Sequence, residues 1–291
     1  MLIMANVLSA SDRIAVVSAL VEGCSIRSTS RMTGVSRNTV TKLLLDLAEV
    51  CAKVSDEKLR GLPCKRVQID EIWEFVYAKQ KNVPADKQGV FGYGDVWTFV
   101  AIDAETKLVP TWLVGSRDIG SATELCQDLA GRLVNRVQIT TDGLKAYVSA
   151  VEDAFGGDVD FAQLHKVYGA QPSGPETRYS PAECIGAEKR VVTGCPDAKH
   201  VSTSYVERQN LTMRMSMRRF TRLTNGHSKK VENHAAAIAV HFAHYNFCRA
   251  HSTLGKGVTP AMAAGVETRK WEIADLIALL PPVFMFKAGS K

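Results

Sequence analysis

The sequence predicts an α/β domain, with a mixed sheet flanked by helices, preceded by a small all-α domain. Short helical segments with serine or glycine at their ends fill roughly the first fifty residues, whereas strand and helix patterns alternate after residue 63. The chain has 291 residues, of which 46% are hydrophobic and 23% are charged. These proportions are typical of folded globular proteins and exclude fibrous and disordered classes.

The N-terminal segment predicts three helices joined by tight turns. Ser11 is expected to cap the first helix, which ends at Gly23. The second helix stops at Gly34, and Ser36 caps the third. A short helix, a glycine turn and a second, polar-fronted helix are typical of a helix-turn-helix domain, which we assign with its linker to residues 1–62. A generic three-helix bundle with a solvated polar face is the alternative.

Charge is distributed unevenly along the chain. The net charge is +2 over residues 1–60, −4 over 61–200 and +8 over 201–291. An acidic middle and a basic C-terminal third predict two tasks, holding cations and holding a polyanion. The third helix also begins with side chains that suit base edges and phosphates, namely Ser36, Arg37, Asn38, Thr41 and Lys42.

The α/β pattern covers residues 63–254 and leaves a C-terminal tail at 255–291. Strands are predicted at 67–76, 97–102, 108–114 and 137–141. Helices are predicted at 120–133, 143–154, 202–222 and 230–248. Residues 156–200 are rich in Gly, Pro and Ser, so we interpret them as an insertion or long loop with one strand near 161–167.

Three acidic residues stand out by their context. Asp70 lies inside an apolar strand, where an uncompensated carboxylate is costly. Asp142 directly follows another strand, at the edge where α/β sheets bind ligands. If these two strands are neighbours, the two carboxylates converge, and a later helix can bring Glu207 onto them. Glu71 is expected to point to the other side of the strand, and Asp103 to belong to a turn.

Convergent carboxylates repel one another unless divalent cations lie between them. Oxygen-only ligands suit Mg²⁺, so the sequence predicts metal ligands and catalytic groups at Asp70, Asp142 and Glu207. Two ions about 3.5–4 Å apart would clamp a phosphodiester. The alternatives are a satisfied structural carboxylate at Asp70, a helix N-cap at Asp142 and a solvated position at Glu207.

The helix that carries Glu207 also carries a one-sided positive charge. From Arg208 to Lys230 there are seven basic residues and no acidic one. In an ideal helix, Arg214 and Arg218 fall on the line of Glu207, roughly opposite an apolar stripe that we expect in the core. We predict DNA contacts from Arg208, Arg214, Arg218, Arg219, Arg222, Lys229 and Lys230. A solvated basic face is the alternative.

The seven cysteines form no CxxC pair, which argues against a zinc finger and favours free thiols in a reducing cytoplasm. Metal binding by Cys184, Cys195 and His200 is a weaker alternative. No apolar run has the length that a bilayer span needs, and no signal peptide is recognised. The sequence therefore predicts a cytoplasmic location and no membrane partner.

Six segments resemble the DDE transposases of bacterial insertion sequences, in particular the group named for the first insertion sequence (IS-one-like). The segments are Val67-Gln-Ile-Asp-Glu-Ile-Trp, Ala101-Ile-Asp-Ala-Glu-Thr-Lys, Thr140-Thr-Asp-Gly, Ser202-Thr-Ser-Tyr-Val-Glu-Arg-Gln-Asn-Leu-Thr, His244-Tyr-Asn-Phe-Cys-Arg-Ala-His-Ser-Thr-Leu and Thr259-Pro-Ala-Met-Ala-Ala-Gly. The resemblance covers roughly residues 65–265, and the segment at Ser202 is the most specific.

This resemblance implies an RNase H-like, integrase-type catalytic fold, with the two aspartates of the family at Asp70 and Asp142 and its glutamate at Glu207. It implies two Mg²⁺ or Mn²⁺ ions, nicking at the ends of the element, and transfer of the resulting 3′-hydroxyl into target DNA. It further implies a homo-oligomer on double-stranded DNA in the bacterial cytoplasm, associated with the nucleoid when bound to DNA.

The resemblance has one departure and leaves two alternatives. Members of the group often carry an N-terminal zinc-binding segment, and this sequence has no such cysteine set. Recognition of terminal inverted repeats is therefore assigned to the helix-turn-helix alone. The alternatives are a non-catalytic DNA-binding regulator derived from a transposase and an RNase H-like nuclease without strand transfer.

Overall fold

Three helices form the N-terminal part of the chain. The structure, a computed structural model, describes residues 8–169, 182–221 and 225–281. The N-terminal helices are α1 (Ala10–Val21), α2 (Ile26–Thr33) and α3 (Arg37–Lys58). The three predicted helices are therefore confirmed, while the use of this motif in DNA recognition stays a prediction.

Serine caps define where these helices begin. The hydroxyls of Ser9, Ser25 and Ser36 each accept a backbone N–H from the first turn of the helix that follows. Each cap of this kind contributes roughly 1 kcal/mol. The first cap is Ser9 and not Ser11, because Ser11 already lies in the first turn of α1. At the other end of α2, Gly34 adopts φ 73°, the left-handed conformation that ends many helices.

Helix α3 is longer than the sequence pattern indicated. It continues to Lys58, whereas the pattern predicted helices over roughly the first fifty residues only. Residues 53–58 are polar, but they contain neither Gly nor Pro, and Lys53 and Glu57 form an i,i+4 ion pair at 4.0 Å. Cys51, just before them, is buried and anchors this part of the helix.

A mixed six-stranded sheet forms the α/β part, as predicted. Its strands are β1 (Arg66–Val76), β2 (Gly94–Asp103), β3 (Thr111–Gly115), β4 (Val137–Thr141), β5 (Val159–Tyr168) and β6 (Cys184–Thr193). Their order across the sheet is β3-β2-β1-β4-β5-β6. Strand β4 is parallel to both β1 and β5, whereas β2–β3 and β5–β6 are antiparallel. The first and fourth strands are neighbours, which is the arrangement that the convergence of Asp70 and Asp142 requires.

Strand β6 was not predicted, because residues 156–200 were assigned to a loop with one strand. β6 is exposed along most of its length and has no alternation of buried and exposed positions. It forms because β5 supplies backbone partners, with the pairing running from Phe161 opposite Thr193 to Tyr168 opposite Cys184. Residues 170–181, between the two strands, lie outside the described residues.

Two helices follow the third and the fourth strands of the chain. Helix α4 (Ile119–Ala130) comes after β3, helix α5 (Ala146–Phe155) comes after β4, and the two helices pack on each other. The fully buried side chains of this region include Ile69, Phe99, Ile139, Tyr147 and Phe161. This apolar core fixes the strand ends on which the candidate site is built.

Helix α6 (Ser204–Ser216) is shorter than predicted. A separate 3-10 turn at Arg218–Phe220 follows it, because Met217 has an extended backbone with φ −129° and ψ 108°. The prediction of one continuous helix to Arg222 is therefore wrong beyond Ser216, and Arg222 itself lies outside the described residues. The predicted apolar stripe is confirmed as core, with Val206, Met213, Met217 and Phe220 all buried.

The C-terminal part is helical. It consists of α7 (Val231–Ala243) with a π-helical turn at His244–Cys248, α8 (Pro260–Ala263) and α9 (Ile273–Ala278). Helix α7 packs on α3, and α9 packs on α1. Among the described residues, no helix combines the length and the hydropathy needed to cross a lipid bilayer.

The chain divides into two compact units that do not follow sequence order. One comprises Met1–Leu59, Glu74–Val96 and Leu211–Lys291. The other comprises Arg60–Trp73 and Trp97–Asn210. We call them the helical unit and the sheet unit. The predicted domain boundaries follow the chain instead, and they stay a prediction.

Candidate metal centre

Two carboxylates leave neighbouring strands at the same edge of the sheet. The register of β1 and β4 pairs Ile69 with Thr141 as its last partners. Asp70 follows Ile69 within β1, and Asp142 follows Thr141 directly after the end of β4. Because β1 and β4 are parallel, both side chains arise where the pairing ends, which is the usual place for a ligand site in such sheets.

A third carboxylate joins them, and it belongs to Glu71. Oxygen atoms of Asp70, Glu71 and Asp142 lie within 4.8 Å of one another. Glu71 was expected to point to the other side of the strand, and its carboxylate nevertheless belongs to this cluster. Side chains alternate between the two faces of a paired strand, but β4 ends opposite Ile69, so the longer Glu71 side chain reaches the same edge.

Helix α6 brings a fourth carboxylate to the site from its first turn. Glu207 lines a cavity of about 700 Å³ together with Asp70 and Asp142. The position of its helix is fixed by Gln68, two residues before Asp70 on the same face of β1. The Gln68 Oε1 atom accepts the backbone N–H groups of Tyr205 and Val206, at 2.8 and 3.1 Å.

A second contact ties α6 directly to the first aspartate. Nδ2 of Asn210 donates to Oδ2 of Asp70 at 2.9 Å. Asn210 is three residues after Glu207, so both side chains lie on one face of the helix. Gln68 and Asn210 were not singled out from the sequence. The signal that was available is their spacing from the predicted ligands, i−2 on a strand and i+3 on a helix.

Burial and mutual repulsion make the site electrostatically unfavourable for negative charge. Burial, followed by the neighbouring charges of Glu71 and Asp142, raises the pKa of Asp70 to about 7. The pKa of Glu71 is also raised, first by burial and then by Asp142, although hydrogen bonds from Arg117 and Tyr147 oppose the rise. A cation bound among these oxygens would oppose both shifts, because it stabilises the charged form of each carboxylate.

Two cations compensate part of this charge. Arg117 lies between β3 and α4, and its Nη2 and Nε atoms are 2.6 and 2.7 Å from Oε1 of Glu71. Its guanidinium also lies over the ring of Trp97 at 4.7 Å and is 4.0 Å from Oδ2 of Asp142. Nζ of Lys166 is 2.5 Å from Oε1 of Glu207. Neither cation was predicted as part of the site.

Within the part of the chain that the structure describes, the acidic oxygens fit a hard divalent cation. The side chains that assemble as three or more potential ligands are Asp70, Glu71 and Asp142. Carboxylate oxygens are the ligands that Mg²⁺ and Mn²⁺ prefer. Cys184, Cys195 and His200 form no such group among the described residues, so that alternative is not supported.

The remaining acidic predictions concern local structure. Asp103 ends β2, and its Oδ2 atom accepts the backbone N–H of Thr106 at 3.0 Å, which confirms its role in a turn. Oδ1 of Asp142 accepts the N–H of Leu144 at 2.9 Å. This is a turn contact and not a helix cap, because α5 begins only at Ala146.

The predicted DNA-binding residues of α3 lie at its start. Arg37 and Asn38 are exposed, and Ser36 caps the helix. Thr41 donates to the carbonyl of Arg37 at 2.9 Å. Lys42 forms an i,i+4 ion pair with Asp46 at 2.8 Å. Arg37 and Asn38 thus present polar groups to solvent.

The predicted basic residues after Glu207 occupy three different structural settings. Arg208 lies exposed on α6, and Nη1 of Arg214 donates to the carbonyl of Phe220 at 3.3 Å. Arg218 is exposed in the 3-10 turn, whereas its neighbour Arg219 is largely buried and donates to Oγ of Ser228 at 2.7 Å.

The last two predicted contacts precede α7. Nζ of Lys229 is 2.7 Å from Nε2 of His227, and Lys230 is exposed immediately before the first residue of the helix. The single basic face predicted for one long helix is therefore absent among these described residues, since α6 ends at Ser216.

Neither a protein-family model nor a curated protein matches the chain. Among solved structures, the crystal structure of the Mos1 strand transfer complex aligns at 14% identity over 50% of this chain and 54% of that chain, with a TM-score of 0.22. The Mos1 transposase paired-end complex with left transposon end aligns at 13% identity over 51% and 56%, with a TM-score of 0.21. This chain thus spans about half the length of the Mos1 chains.

A third alignment is longer. The cryo-EM structure of the piggyBac transposase synaptic complex with hairpin DNA aligns at 12% identity over 93% of this chain and 70% of that chain, with a TM-score of 0.37. At these identities and TM-scores, the three alignments do not establish a common overall fold. The function is therefore inferred from the residues of the site.

Proposed function

We propose that the chain is a transposase of the DDE type, which cleaves DNA at the ends of an insertion sequence and joins the 3′-hydroxyl to target DNA. The observation that carries this proposal is the convergence of Asp70 and Asp142 at the ends of parallel strands, with Glu207 of α6 lining the same cavity. These are the residues on which the sequence resemblance places the family's three acids.

Asp70, Asp142 and Glu207 would hold two divalent cations, Mg²⁺ or Mn²⁺, with Asp70 shared between them. Bound cations supply Lewis-acid stabilisation and activation of the attacking oxygen in phosphoryl transfer. Glu71 adds negative charge to the site, and its ion pair with Arg117 compensates part of that charge near the metal ions.

The basic groups around the site would hold the DNA backbone. Arg117 and Lys166 line the same cavity as the acids, where a scissile phosphate would have to lie. Recognition of terminal inverted repeats would fall to the exposed start of α3, where Arg37 and Asn38 suit phosphate and base contacts. The joining of two ends implies a homo-oligomer on DNA. The sequence resemblance implies that this oligomer acts in the bacterial cytoplasm.

The test is a cleavage and strand-transfer assay on labelled duplexes taken from both flanks of the coding sequence, with Mg²⁺, Mn²⁺ or EDTA. The variants are Asp70→Asn and Glu207→Gln. The matched control is Glu124→Gln, since Glu124 is an exposed acid on α4 of the same unit. We expect a joined product that depends on metal, is lost in both variants and persists in the control.

The outcomes separate the candidate functions. Cleavage without a joined product would support a nuclease. Specific binding of the flanking DNA that is indifferent to metal and to Asp70→Asn, with no cleavage, would support a non-catalytic regulator. Either result would contradict strand transfer by this chain.

A further inference from the structure

The helical unit contains a large basic cavity that the proposed chemistry does not use. Its volume is about 790 Å³. Its walls come from the end of α1, from α2, from the first turns of α3, from residues 216–219 and 225–229, and from α7. All of these residues belong to the helical unit, and none is a ligand of the candidate metal centre.

The lining of this basic cavity is positively charged without compensation. Among the residues that the structure describes, five cations line it, namely Arg27, Arg37, Arg218, Arg219 and Lys229, and no carboxylate does. Within the described ranges, none of these five forms an ion pair with an acidic side chain; their observed contacts include Ser228 and His227. Like charges in one cavity repel one another, and a bound polyanion would remove that repulsion.

Buried polar atoms in the cavity wall are also unsatisfied. His241 is 4% exposed, and its Nε2 atom has no hydrogen-bond partner among the described residues. Nδ1 of His227 is likewise buried without a partner. A buried polar atom without a partner costs about 1–3 kcal/mol. Both atoms have almost no accessible surface, so the exposed cations, and not these nitrogens, are the groups that a ligand in the cavity can contact.

The side chains are arranged as a charged rim over an apolar floor. Arg27, Arg37, Arg218 and Lys229 are exposed, whereas Val21, Leu44, Met217 and Val240 of the same lining are buried. Among the described residues, no aromatic ring other than the two imidazoles lines the cavity, so we expect recognition through the phosphate rather than through base stacking. The ligand is therefore read through its phosphate.

The cavity is too small to enclose a double helix. A sphere of this volume is about 11 Å across, which is less than the roughly 12 Å width of the major groove alone. The phosphates of a flexible single strand can enter the cavity and contact cations on more than one of its walls. Strand cleavage and joining expose single-stranded ends, and they would deliver such a ligand.

We propose that the basic cavity binds the phosphate backbone of single-stranded DNA without sequence preference. The inference rests on the proposed function only in taking DNA as the ligand. Its binding residues are Arg27, Arg218, Arg219 and Lys229; Arg37 lines the same cavity but is assigned above to duplex recognition. Binding is independent of the metal ions and of the four carboxylates of the candidate metal centre.

The experiment measures fluorescence anisotropy of a labelled oligonucleotide of mixed sequence, about 12 nucleotides long, in EDTA. Arg27→Gln and Arg218→Gln remove rim charges. The matched control is Arg31→Gln, because Arg31 is exposed on the same short helix as Arg27 but does not line the cavity. Circular dichroism melting verifies that each variant folds.

We expect each cavity variant to weaken binding about fivefold and to reduce the slope of log K against log salt by about 0.7, the share of one phosphate contact on a single strand. Arg31→Gln should leave both quantities unchanged. Equal losses in Arg27→Gln and Arg31→Gln would overturn the proposal, because they would reflect general surface charge.

Further arms distinguish the source of the phosphate. A duplex of the same length should bind more weakly in a manner insensitive to Arg218→Gln, and inorganic phosphate should compete only at high concentration. A duplex that binds more tightly and loses affinity in Arg218→Gln, or phosphate that binds as well as the strand, would overturn the assignment to single-stranded DNA.

The same assay separates this inference from the proposed function. Asp70→Asn should bind the oligonucleotide like the parent protein, whatever its effect on cleavage. Loss of cleavage activity in every preparation, with intact and cavity-dependent strand binding, would refute transposition and leave the cavity assignment standing. Intact strand transfer, combined with strand binding that is unchanged in Arg27→Gln and Arg218→Gln, would support transposition and refute the cavity assignment.

Discussion

Replacing Asp70 with Asn is expected to stabilise the metal-free protein at neutral and alkaline pH. The folded state raises the pKa of Asp70 from 3.8 to about 7, first through burial and then through Glu71 and Asp142. Between pH 3.8 and about pH 7, the folded protein therefore binds more protons at Asp70 than the unfolded chain does. Its free energy of unfolding therefore falls as pH rises through this window.

The size of the effect follows from the difference in pKa. Each pKa unit corresponds to about 1.36 kcal/mol, so a shift of about three units costs the charged protein roughly 4 kcal/mol above pH 7. An Asn side chain carries no charge and keeps an oxygen that can accept the 2.9 Å hydrogen bond from Asn210. Asp70→Asn should consequently raise the melting temperature on the order of 10 °C at pH 8.

The assay is thermal unfolding of the parent protein and Asp70→Asn in EDTA from pH 4 to pH 8.5, with Glu124→Gln as a control. The difference in stability should shrink below about 1 kcal/mol at pH 4, where Asp70 of the folded protein is neutral. Adding Mn²⁺ at pH 8 should stabilise the parent protein far more than the variant. A difference that is independent of pH, or a variant that melts lower at pH 8, would refute the charge argument.

Three further substitutions test the charge balance of the site and the turn that ends β2. Arg117→Gln leaves the buried Glu71 carboxylate without its cation, so the free energy of unfolding in EDTA should fall by about 3 kcal/mol, while calorimetry should show tighter Mn²⁺ binding. Lys166→Gln frees Glu207 at a half-exposed pair, so Mn²⁺ affinity should rise with stability unchanged within about 1 kcal/mol. Asp103→Ala should cost about 2 kcal/mol in urea unfolding and leave Mn²⁺ affinity unaltered; the opposite pattern would assign Asp103 to the metal centre.

The parts of the site that follow from local patterns could be predicted from the sequence. Asp70 interrupts an apolar strand and Asp142 follows another, and both patterns are visible within about ten residues. Their meeting required only that β1 and β4 be parallel neighbours, which the register confirms. Glu207 could be proposed in the same way, from its place at the start of a helix.

The parts that depend on distant contacts could not be predicted. Arg117 reaches Glu71 across 46 positions, and Gln68 reaches the start of α6 across 137. No periodicity within a strand or helix encodes such a pairing. The alternation of side chains places Glu71 on the opposite face from Asp70, but it does not show that the long Glu71 side chain reaches the other acids where the β1–β4 pairing ends.

Two errors in the fold have similar causes. Strand β6 carries no hydrophobic alternation, and its partner β5 alone determines that it is a strand. Helix α6 ends at Ser216 although the residues after it favour a helix, because the extended backbone of Met217 accompanies burial of its side chain. Tertiary packing decided both cases against the local propensity.

Burial, together with the distribution of counter-charges, explains why Asp70 is the most perturbed acid of the site. Glu71 is neutralised by Arg117, and Glu207 by Lys166. Within the described residues, Asp70 forms no ion pair, and the side chain bound to it is the neutral amide of Asn210. The negative charge that the chain leaves uncompensated is therefore concentrated on the residue proposed to be shared by two cations, so metal binding and the stability of the sheet unit should be coupled through Asp70.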